Sequence, residues 1–313
     1  MPFRYGRIQK DEVNQLAVEN YFSLIERAEQ FYQDQLDVVV QDMGQSQSFD
    51  VICLSGPSSS GKTTTAKTLK RKFISRGRNA RVISLDDFYL DVDRTPHLPD
   101  GSPDFETIYA LDIPRINQCI KELIDHKRTI IPVFDFQRRA RALEEKEIVV
   151  GEDDVVIIEG IHGLNPLLTE LAGEDKITRI YVSARSKFVD QEEEILSPKD
   201  IRLMRRLVRD VATRNTPPSQ TIAMWDNVCE GERLYINPYR DNANYKLDST
   251  MDYEPNIFKN YLEPFFNQDD LEIRAYYTLR SLYERLDQFL NIQDTSPIPA
   301  GSVIREFIGK KKD

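Results

Sequence analysis

The sequence predicts an α/β protein whose parallel sheet is covered by helices on both faces. Residues 49–54, 155–158 and 177–182 are short runs of mainly apolar side chains, as expected for strands that are buried on both sides. Residues 49–85 follow the order strand, glycine-rich turn, helix, strand, and this βαβ order makes the two strands parallel. We therefore expect the functional loops at the carboxyl edge of this sheet.

Helices are predicted before, between and after the strands. Apolar side chains recur at helical spacing through residues 12–35, which predicts one or two helices with one buried face. Pro114 in a first turn predicts a helix that begins near Asp112. Residues 190–214 are interpreted as helical, acidic first and then basic, and residues 271–290 as a further helix.

These elements suggest three parts along the chain. We expect an N-terminal helical extension at residues 1–47, an α/β domain at residues 48–250 with a lid around residues 186–220, and a C-terminal helical segment at residues 251–313. Whether the protein forms a homo-oligomer stays open.

Composition excludes several classes of protein. The 313 residues contain no run of about 20 apolar side chains, and the N-terminus lacks the layout of a secretory signal. We therefore expect a cytoplasmic protein with no membrane partner. The net charge of −10 disfavours a nucleic-acid partner. The three cysteines and three histidines are too scattered for a disulfide scaffold or a histidine-rich metal centre.

A phosphate-binding loop follows the first predicted strand. Residues 56–63 read Gly-x4-Gly-Lys-Thr, directly after a strand and directly before a helix. Glycines let the backbone turn so that successive amides point at phosphate oxygens, and the helix N-terminus adds partial positive charge. Lys62 would bridge the β- and γ-phosphates, and the Thr63 hydroxyl would ligate Mg²⁺. A Gly-Ser loop with a chance lysine is the alternative interpretation.

Three carboxylates follow predicted strands at the same edge of the sheet. Asp86 and Asp87 come at the end of the second strand, and Glu159 follows residues 155–158. Phosphoryl transfer needs an acid to hold Mg²⁺ or its waters and a base to accept the acceptor's proton. A helix cap for the two aspartates and a turn position for Glu159 are the structural alternatives.

Two groups of arginines are candidates for anion recognition. The first lies at i, i+3, i+4 and i+7 on one helix face and predicts a lid that closes over polyphosphate and excludes water; it comprises Arg202, Arg205, Arg206 and Arg209. The second follows the aromatic stretch 132–136 and would bind an acceptor's hydroxyls or negative groups; it comprises Arg138, Arg139 and Arg141. A solvated helix face and a surface turn are the alternatives.

The ordered set of motifs resembles the uridine kinase and phosphoribulokinase family over roughly residues 48–250. The motifs are residues 56–63, Leu85-Asp86-Asp87-Phe88-Tyr89, Pro132-Val133-Phe134-Asp135-Phe136, Ile158-Glu159-Gly160-Ile161 and Arg205-Arg206-Leu207-Val208-Arg209-Asp210. Residues 297–309 also look like the end of longer bacterial uridine-kinase-like proteins. Four positions depart from the family. Phe134 replaces a usual tyrosine, and Arg139 stands where a histidine helps to bind the pyrimidine. Met224 falls where a glutamine contacts the nucleoside, with Gln220 close by, and the sugar-binding aspartate has no clean match, Asp100 being the nearest acid.

The resemblance implies a P-loop kinase that uses ATP and Mg²⁺, with Asp86 as catalytic base and Lys62 on the phosphates. It implies a metal set of Thr63, Asp86 and Glu159. The nucleotide-binding set would be Gly56, Ser58, Ser59, Ser60, Gly61, Lys62, Thr63, Thr64, Arg206 and Arg209. The acceptor-side set would be Asp87, Tyr89, Asp104, Phe134, Arg139, Arg141 and Arg214.

The family resemblance favours a nucleoside as the small-molecule acceptor. The arginines at 138–141 keep a phosphorylated sugar or another anionic acceptor as an alternative. A second class of function is an ATP-gated regulator, which would hydrolyse ATP slowly and signal through its helical termini. A nucleic-acid kinase is disfavoured by the net charge.

Overall fold

A five-stranded parallel sheet forms the centre of the computed structural model, which describes residues 6–44, 48–173, 176–266 and 272–309. The strands are β2 (Asp50–Ser55), β3 (Ala80–Ser84), β6 (Val155–Glu159), β7 (Ile177–Ser183) and β10 (Tyr245–Asp248), in the order β10-β7-β2-β6-β3. Every neighbouring pair is parallel. The predicted α/β fold with a parallel sheet is confirmed.

Nine helices in the described residues surround the sheet. They are α1 (Lys10–Glu19), α2 (Tyr21–Met43), α3 (Lys62–Ser75), α4 (Ile113–His126), α5 (Pro198–Arg214), α6 (Pro218–Gly231), α7 (Glu254–Phe266), α8 (Ile273–Leu286) and α9 (Arg305–Ile308). The start of α4 follows the predicted signal, because Asp112 accepts a hydrogen bond from the Arg115 amide and Pro114 lies in the first turn. None of the described helices combines the length and the apolar character needed to cross a membrane.

The two faces of the sheet pack into two separate cores, because successive strand side chains point to opposite faces. Ile52 and Ile157 face the larger core, and Val51 and Val156 face the smaller one. The larger core contains side chains of α2, α3 and α5, and the smaller core contains those of α4. Helices therefore cover both faces, as the apolar strands predicted.

Helices near both ends of the described chain pack into the larger core. Leu24 near the N-terminus and Phe307 near the C-terminus are both buried there, together with Leu262 of α7 and Leu282 of α8. The terminal helices thus share hydrophobic contacts with the central sheet. This places residues 302–308 beside the start of α3, which matters for the site described below.

Strands occupy part of the region that was predicted as helix. Residues 187–196 form the antiparallel pair β8 (Lys187–Asp190) and β9 (Glu193–Leu196), and β1 (Arg7–Gln9) runs parallel to β8. The predicted start of a helix at Asp190 is therefore wrong, and α5 begins at Pro198. The reason is a capping box at Ser197, which starts the helix by pairing its backbone and side chain with Asp200.

Helix α5, the centre of the predicted lid, is anchored in the core. Ile201, Met204 and Leu207 are fully buried against the larger cluster. The helix ends at Arg214, and its C-cap residue Asn215 adopts a left-handed backbone with φ of 51°. A second hairpin, β4 (Arg128–Asp135) and β5 (Ala140–Val149), projects beside the smaller core.

Candidate active site

The phosphate-binding loop joins β2 to α3 at the carboxyl edge of the sheet, and two glycines allow its path. A Cβ on Gly56 would lie 1.9 Å from the carbonyl oxygen of Val182 on β7. Gly61 has φ of +86°, and a Cβ there would lie 2.6 Å from Val303 Cγ1. Any larger side chain would push the loop away from its neighbours, so both positions require glycine.

The first turn of α3 presents its amides to the site. The ladder within the helix starts with Thr65, whose amide donates to the Gly61 carbonyl at 2.9 Å, so the amides of residues 62–64 have no partner inside the helix. Lys62 Nζ reaches back over the loop and donates to the Pro57 carbonyl at 3.0 Å. Burial lowers the pKa of Lys62, while the carboxylates of Glu159 and Asp86 act in the opposite direction. The region is built to receive an anion.

Glu159 ends β6 beside the loop and is almost completely buried. Its Oε1 accepts hydrogen bonds from Thr63 Oγ1 at 3.3 Å and from Ser84 Oγ at 3.2 Å. Burial raises the pKa of Glu159 to about 7, and the neighbouring carboxylate of Asp86 adds to this rise. The structure therefore brings together the three predicted groups that follow β2, β3 and β6.

Asp86 lies in a short 3-10 turn directly after β3, where its amide donates to Ser84 Oγ at 3.3 Å. Burial raises the pKa of Asp86, whereas the positive charge of Lys62 lowers it. Asp87 points to the neighbouring hairpin instead, where Lys146 Nζ lies 3.3 Å from its Oδ2. Of the two adjacent aspartates, Asp86 is the one electrostatically coupled to Lys62.

The oxygen donors at this edge fit Mg²⁺. Thr63 Oγ1 and the carboxylates of Glu159 and Asp86 are hard ligands, and Mg²⁺ binds through one or two carboxylates together with waters and substrate phosphates. No cluster of three or more His, Cys, Asp or Glu side chains suited to a metal occurs in the described part of the chain.

Three arginines of α5 contact the loop. Arg206 Nη1 donates to Ser58 Oγ at 2.9 Å, and Arg205 Nη1 donates to the Ser59 carbonyl at 3.2 Å. Arg202 Nη1 lies 3.5 Å from the Ser58 carbonyl and is paired with Glu232. Ser59 has φ of +62°, so these contacts hold a loop residue in an unfavourable backbone conformation.

Three arginines surround the buried carboxylate of Asp210. Arg206, Arg209 and Arg214 lie 3.2, 3.5 and 3.2 Å from it. Burial, and then the nearby charge of Arg214, lower the pKa of Arg209 to about 10. Arg209 Nη2 is buried and has no hydrogen-bond acceptor among the described residues. One carboxylate cannot neutralise three guanidinium groups, so positive charge remains beside the loop.

The predicted acceptor-side residues divide into an aromatic wall and a polar rim. Tyr89 packs against Phe134, with ring centroids 5.7 Å apart, and its hydroxyl donates to the Phe105 carbonyl at 3.1 Å. Asp104 Oδ1 accepts from the Glu106 amide at 3.0 Å. Tyr89 and Phe134 are buried, so they shape the wall through apolar contacts.

The arginines of the β4–β5 hairpin are exposed or already neutralised. Arg139 lies at the exposed turn with φ of +53°. Arg141 Nη2 donates to Asp112 Oδ2 at 2.7 Å, and its amide donates to Asp91 Oδ1 at 2.8 Å. Neither residue presents a free buried charge for an anionic acceptor.

Three polar residues at this edge were not predicted as site residues. Burial raises the pKa of Glu106 to about 7, and Asp104 and Asp86 contribute to this rise. Burial lowers the pKa of His162 to about 4, so its ring is neutral near pH 7. Glu306 contacts Thr64 from the far end of the chain. The position of Glu106, two residues after the predicted Asp104, is a signal that could have identified it. No local signal in the sequence indicates that Glu306 reaches the site.

The parallel sheet, the glycine loop before α3 and the carboxylates at two strand ends define a P-loop kinase of small molecules. The sequence profile of the Phosphoribulokinase / Uridine kinase family matches residues 51–254. The chain belongs to this family.

Individual relatives are distant in sequence. A uridine kinase of Saccharomyces cerevisiae is 28% identical over 238 residues, which cover 74% of this chain and 42% of that protein. A uridine kinase of Macrococcus caseolyticus is 30% identical over 196 residues, covering 62% and 84%. A solved structure described as a possible uridine kinase from Bacillus stearothermophilus is 15% identical, with a TM-score of 0.48 and coverage of 69% and 98%.

Proposed function

We propose that the protein transfers the γ-phosphoryl group of ATP to a hydroxyl of an uncharged small acceptor of the nucleoside class. The observation that carries this proposal is the meeting of Lys62, Asp86 and Glu159 at the carboxyl edge of the sheet. Burial shifts the pKa values of all three, and their charges act on one another. Such shifts occur where protons and charges move during a reaction. Relatives named uridine kinases support the acceptor class.

The side chains divide the work of the transfer. Asp86 accepts the proton of the acceptor hydroxyl, whose oxygen forms the new bond to the γ-phosphorus while the bond from phosphorus to the bridging β–γ oxygen breaks and ADP leaves. The raised pKa of Asp86 makes it a better proton acceptor than an exposed aspartate. Lys62, the loop amides and the arginines around Asp210 stabilise the negative charge on the transferring group.

Thr63, Glu159 and Asp86 are the residues that would hold Mg²⁺ or its waters. Bound there, the cation would neutralise charge on the β- and γ-phosphates. The hydrogen bond between Thr63 and Glu159 orients both oxygens in advance, which reduces the entropy lost when nucleotide binds.

The charge of the acceptor side favours a neutral molecule over a phosphorylated sugar. Asp104 and Asp86 both lie close enough to Glu106 for their charges to raise its pKa. These carboxylates would repel an anionic acceptor but can accept hydrogen bonds from sugar hydroxyls. Arg141, which would be needed to bind an anion, is paired with Asp112.

The test is ADP release from ATP and Mg²⁺, measured alone and with a panel of nucleosides, pentose phosphates and polyols. We expect a nucleoside to accelerate turnover by orders of magnitude, and Asp86→Asn to remove that acceleration. Asp125→Asn is the matched control, because Asp125 is exposed on α4 and pairs with Lys121.

The acceptor panel distinguishes a nucleoside kinase from a sugar-phosphate kinase and from an ATP-gated regulator. Acceleration by a pentose phosphate and not by nucleosides would overturn the acceptor assignment while leaving the kinase reaction. A slow basal rate that no acceptor changes would instead favour the ATP-gated regulator.

A further inference from the structure

The C-terminal segment 302–308 reaches the phosphate-binding loop. Glu306 Oε2 accepts a hydrogen bond from the Thr64 amide at 3.3 Å and another from Thr64 Oγ1 at 2.7 Å. The two residues are 242 positions apart in the sequence. The carboxylate thus binds the last amide of the first turn of α3, one residue after the Lys62-Thr63 pair.

This amide belongs to the set that a nucleotide would use. Thr65 is the first residue whose amide bonds within α3, so the Thr64 amide is one of the donors that the helix leaves for an external acceptor. The amides of such a loop bind the α- and β-phosphates. A carboxylate and a phosphate both carry negative charge and both accept hydrogen bonds, so they compete for the same donor and for the positive end of the helix.

The backbone of the segment is fixed, so the side chain of Glu306 is the part that can move. Val303, Ile304 and Phe307 are fully buried in the larger core. The Arg205 guanidinium lies 5.2 Å from the centre of the Phe307 ring, and Arg305 donates to the carbonyls of Thr295 and Ile298. Glu306 itself is only half-buried, so its carboxylate can rotate away without unpacking the segment.

We propose that Glu306 is a built-in competitor of nucleotide, whose carboxylate occupies the Thr64 donors in the empty enzyme and is displaced when phosphate binds. The inference rests on the proposed nucleotide site. The carboxylate thereby lowers the affinity of the loop for nucleotide.

The experiment measures equilibrium binding of ATP and of ADP to the full chain by calorimetry. Glu306→Gln keeps the size of the side chain and removes its charge, so we expect both nucleotides to bind about tenfold more tightly, since a hydrogen bond with a charged partner is replaced by a neutral one. Glu306→Ala is expected to tighten binding at least as much. Glu284→Gln, an exposed residue on α8 paired with Arg280, should leave both affinities unchanged.

Weaker binding in Glu306→Gln would overturn the proposal, because it would mean that the carboxylate helps to hold nucleotide. Unchanged binding in both Glu306 variants would overturn it as well. Thermal unfolding of each variant without nucleotide shows whether the segment remains packed.

Lys62→Ala separates this inference from the nucleotide site on which it depends. If Lys62→Ala binds ATP as tightly as the wild type, the proposed site itself is wrong. If Lys62→Ala weakens binding and Glu306→Gln does not strengthen it, only the competitor proposal fails. The readout is binding, so neither result depends on which acceptor the enzyme uses.

Discussion

The ion pair between Arg205 and Glu254 should be one of the strongest single contributions to the stability of the site. Both side chains are fully buried. Arg205 makes five hydrogen bonds, two to Glu254, two to Ser249 and one to the Ser59 carbonyl in the loop. The pair therefore connects the phosphate-binding loop, the end of β10 and the start of α7.

Arg205→Met removes one partner and leaves the Glu254 carboxylate buried, with the Met251 amide still donating to it at 2.7 Å. Removing one member of a buried ion pair costs about 3–5 kcal/mol. Because total stabilities lie at about 5–15 kcal/mol, such a loss is measurable and can leave the protein folded. The double variant Arg205→Met with Glu254→Gln should cost at least about 2 kcal/mol less than the sum of the single variants, since it no longer buries an unpaired charge.

Urea denaturation followed by the fluorescence of Trp225, the only tryptophan, measures these costs. Arg280→Met is the control, because the pair of Arg280 with Glu284 is exposed and should contribute less than about 1 kcal/mol. A cost below about 1 kcal/mol for Arg205→Met, or single costs that simply add in the double variant, would refute the reasoning.

Three further predictions follow from the geometry of the site. Gly56→Ala should abolish ATP binding in a calorimetric assay, because its Cβ would overlap the Val182 carbonyl; Gly77→Ala has a positive φ but open space around it, and should only lower stability by about 1 kcal/mol. Glu159→Gln tests the raised pKa of Glu159: a carboxyl whose folded pKa is raised stabilises the protein below about pH 4.5, and this contribution is lost as the pH rises through about 7. The nucleotide-free variant should therefore melt roughly 5 °C higher than the wild type at pH 8 and show little difference at pH 4.5; an equal shift at both pH values would contradict this. Lys62→Ala should reduce acceptor-stimulated ADP release by about 10²-fold or more, because it removes a charge that stabilises the transferring phosphoryl group. Activity within threefold of the wild type would contradict the role of Lys62 in stabilising this group.

The local part of the site could be predicted because its chemistry is encoded in adjacent residues. The spacing of Gly56, Gly61 and Lys62 specifies a turn, a helix start and a charge together. Asp86 and Glu159 were identified because each follows an apolar strand, and parallel strands bring their carboxyl ends to one edge. The parallel sheet follows from the same pattern.

The remainder depends on contacts between distant parts of the chain. The acidic stretch at residues 190–194 suits a helix by composition, but it lies in the antiparallel pair β8–β9, whose strand β8 also pairs with β1 from the N-terminal region. Glu306 contacts Thr64 through the packing of Phe307 in the larger core. Arg205 belongs to the same helical pattern as the other arginines of α5, so the pattern alone does not distinguish it. It is buried in an ion pair because Glu254, from a distant part of the chain, lies beside it.

The central claim is that Asp86 activates the hydroxyl of an acceptor for attack on the γ-phosphorus of a nucleotide bound at the loop. The direct measurement is transfer of labelled γ-phosphate from ATP to a nucleoside. The account predicts that the label appears in the nucleoside monophosphate in equal amount to the ADP formed. It also predicts that Asp86→Asn lowers this transfer by about 10²-fold or more while ATP still binds. Label found only in inorganic phosphate, at the same rate in both proteins, would contradict the claim.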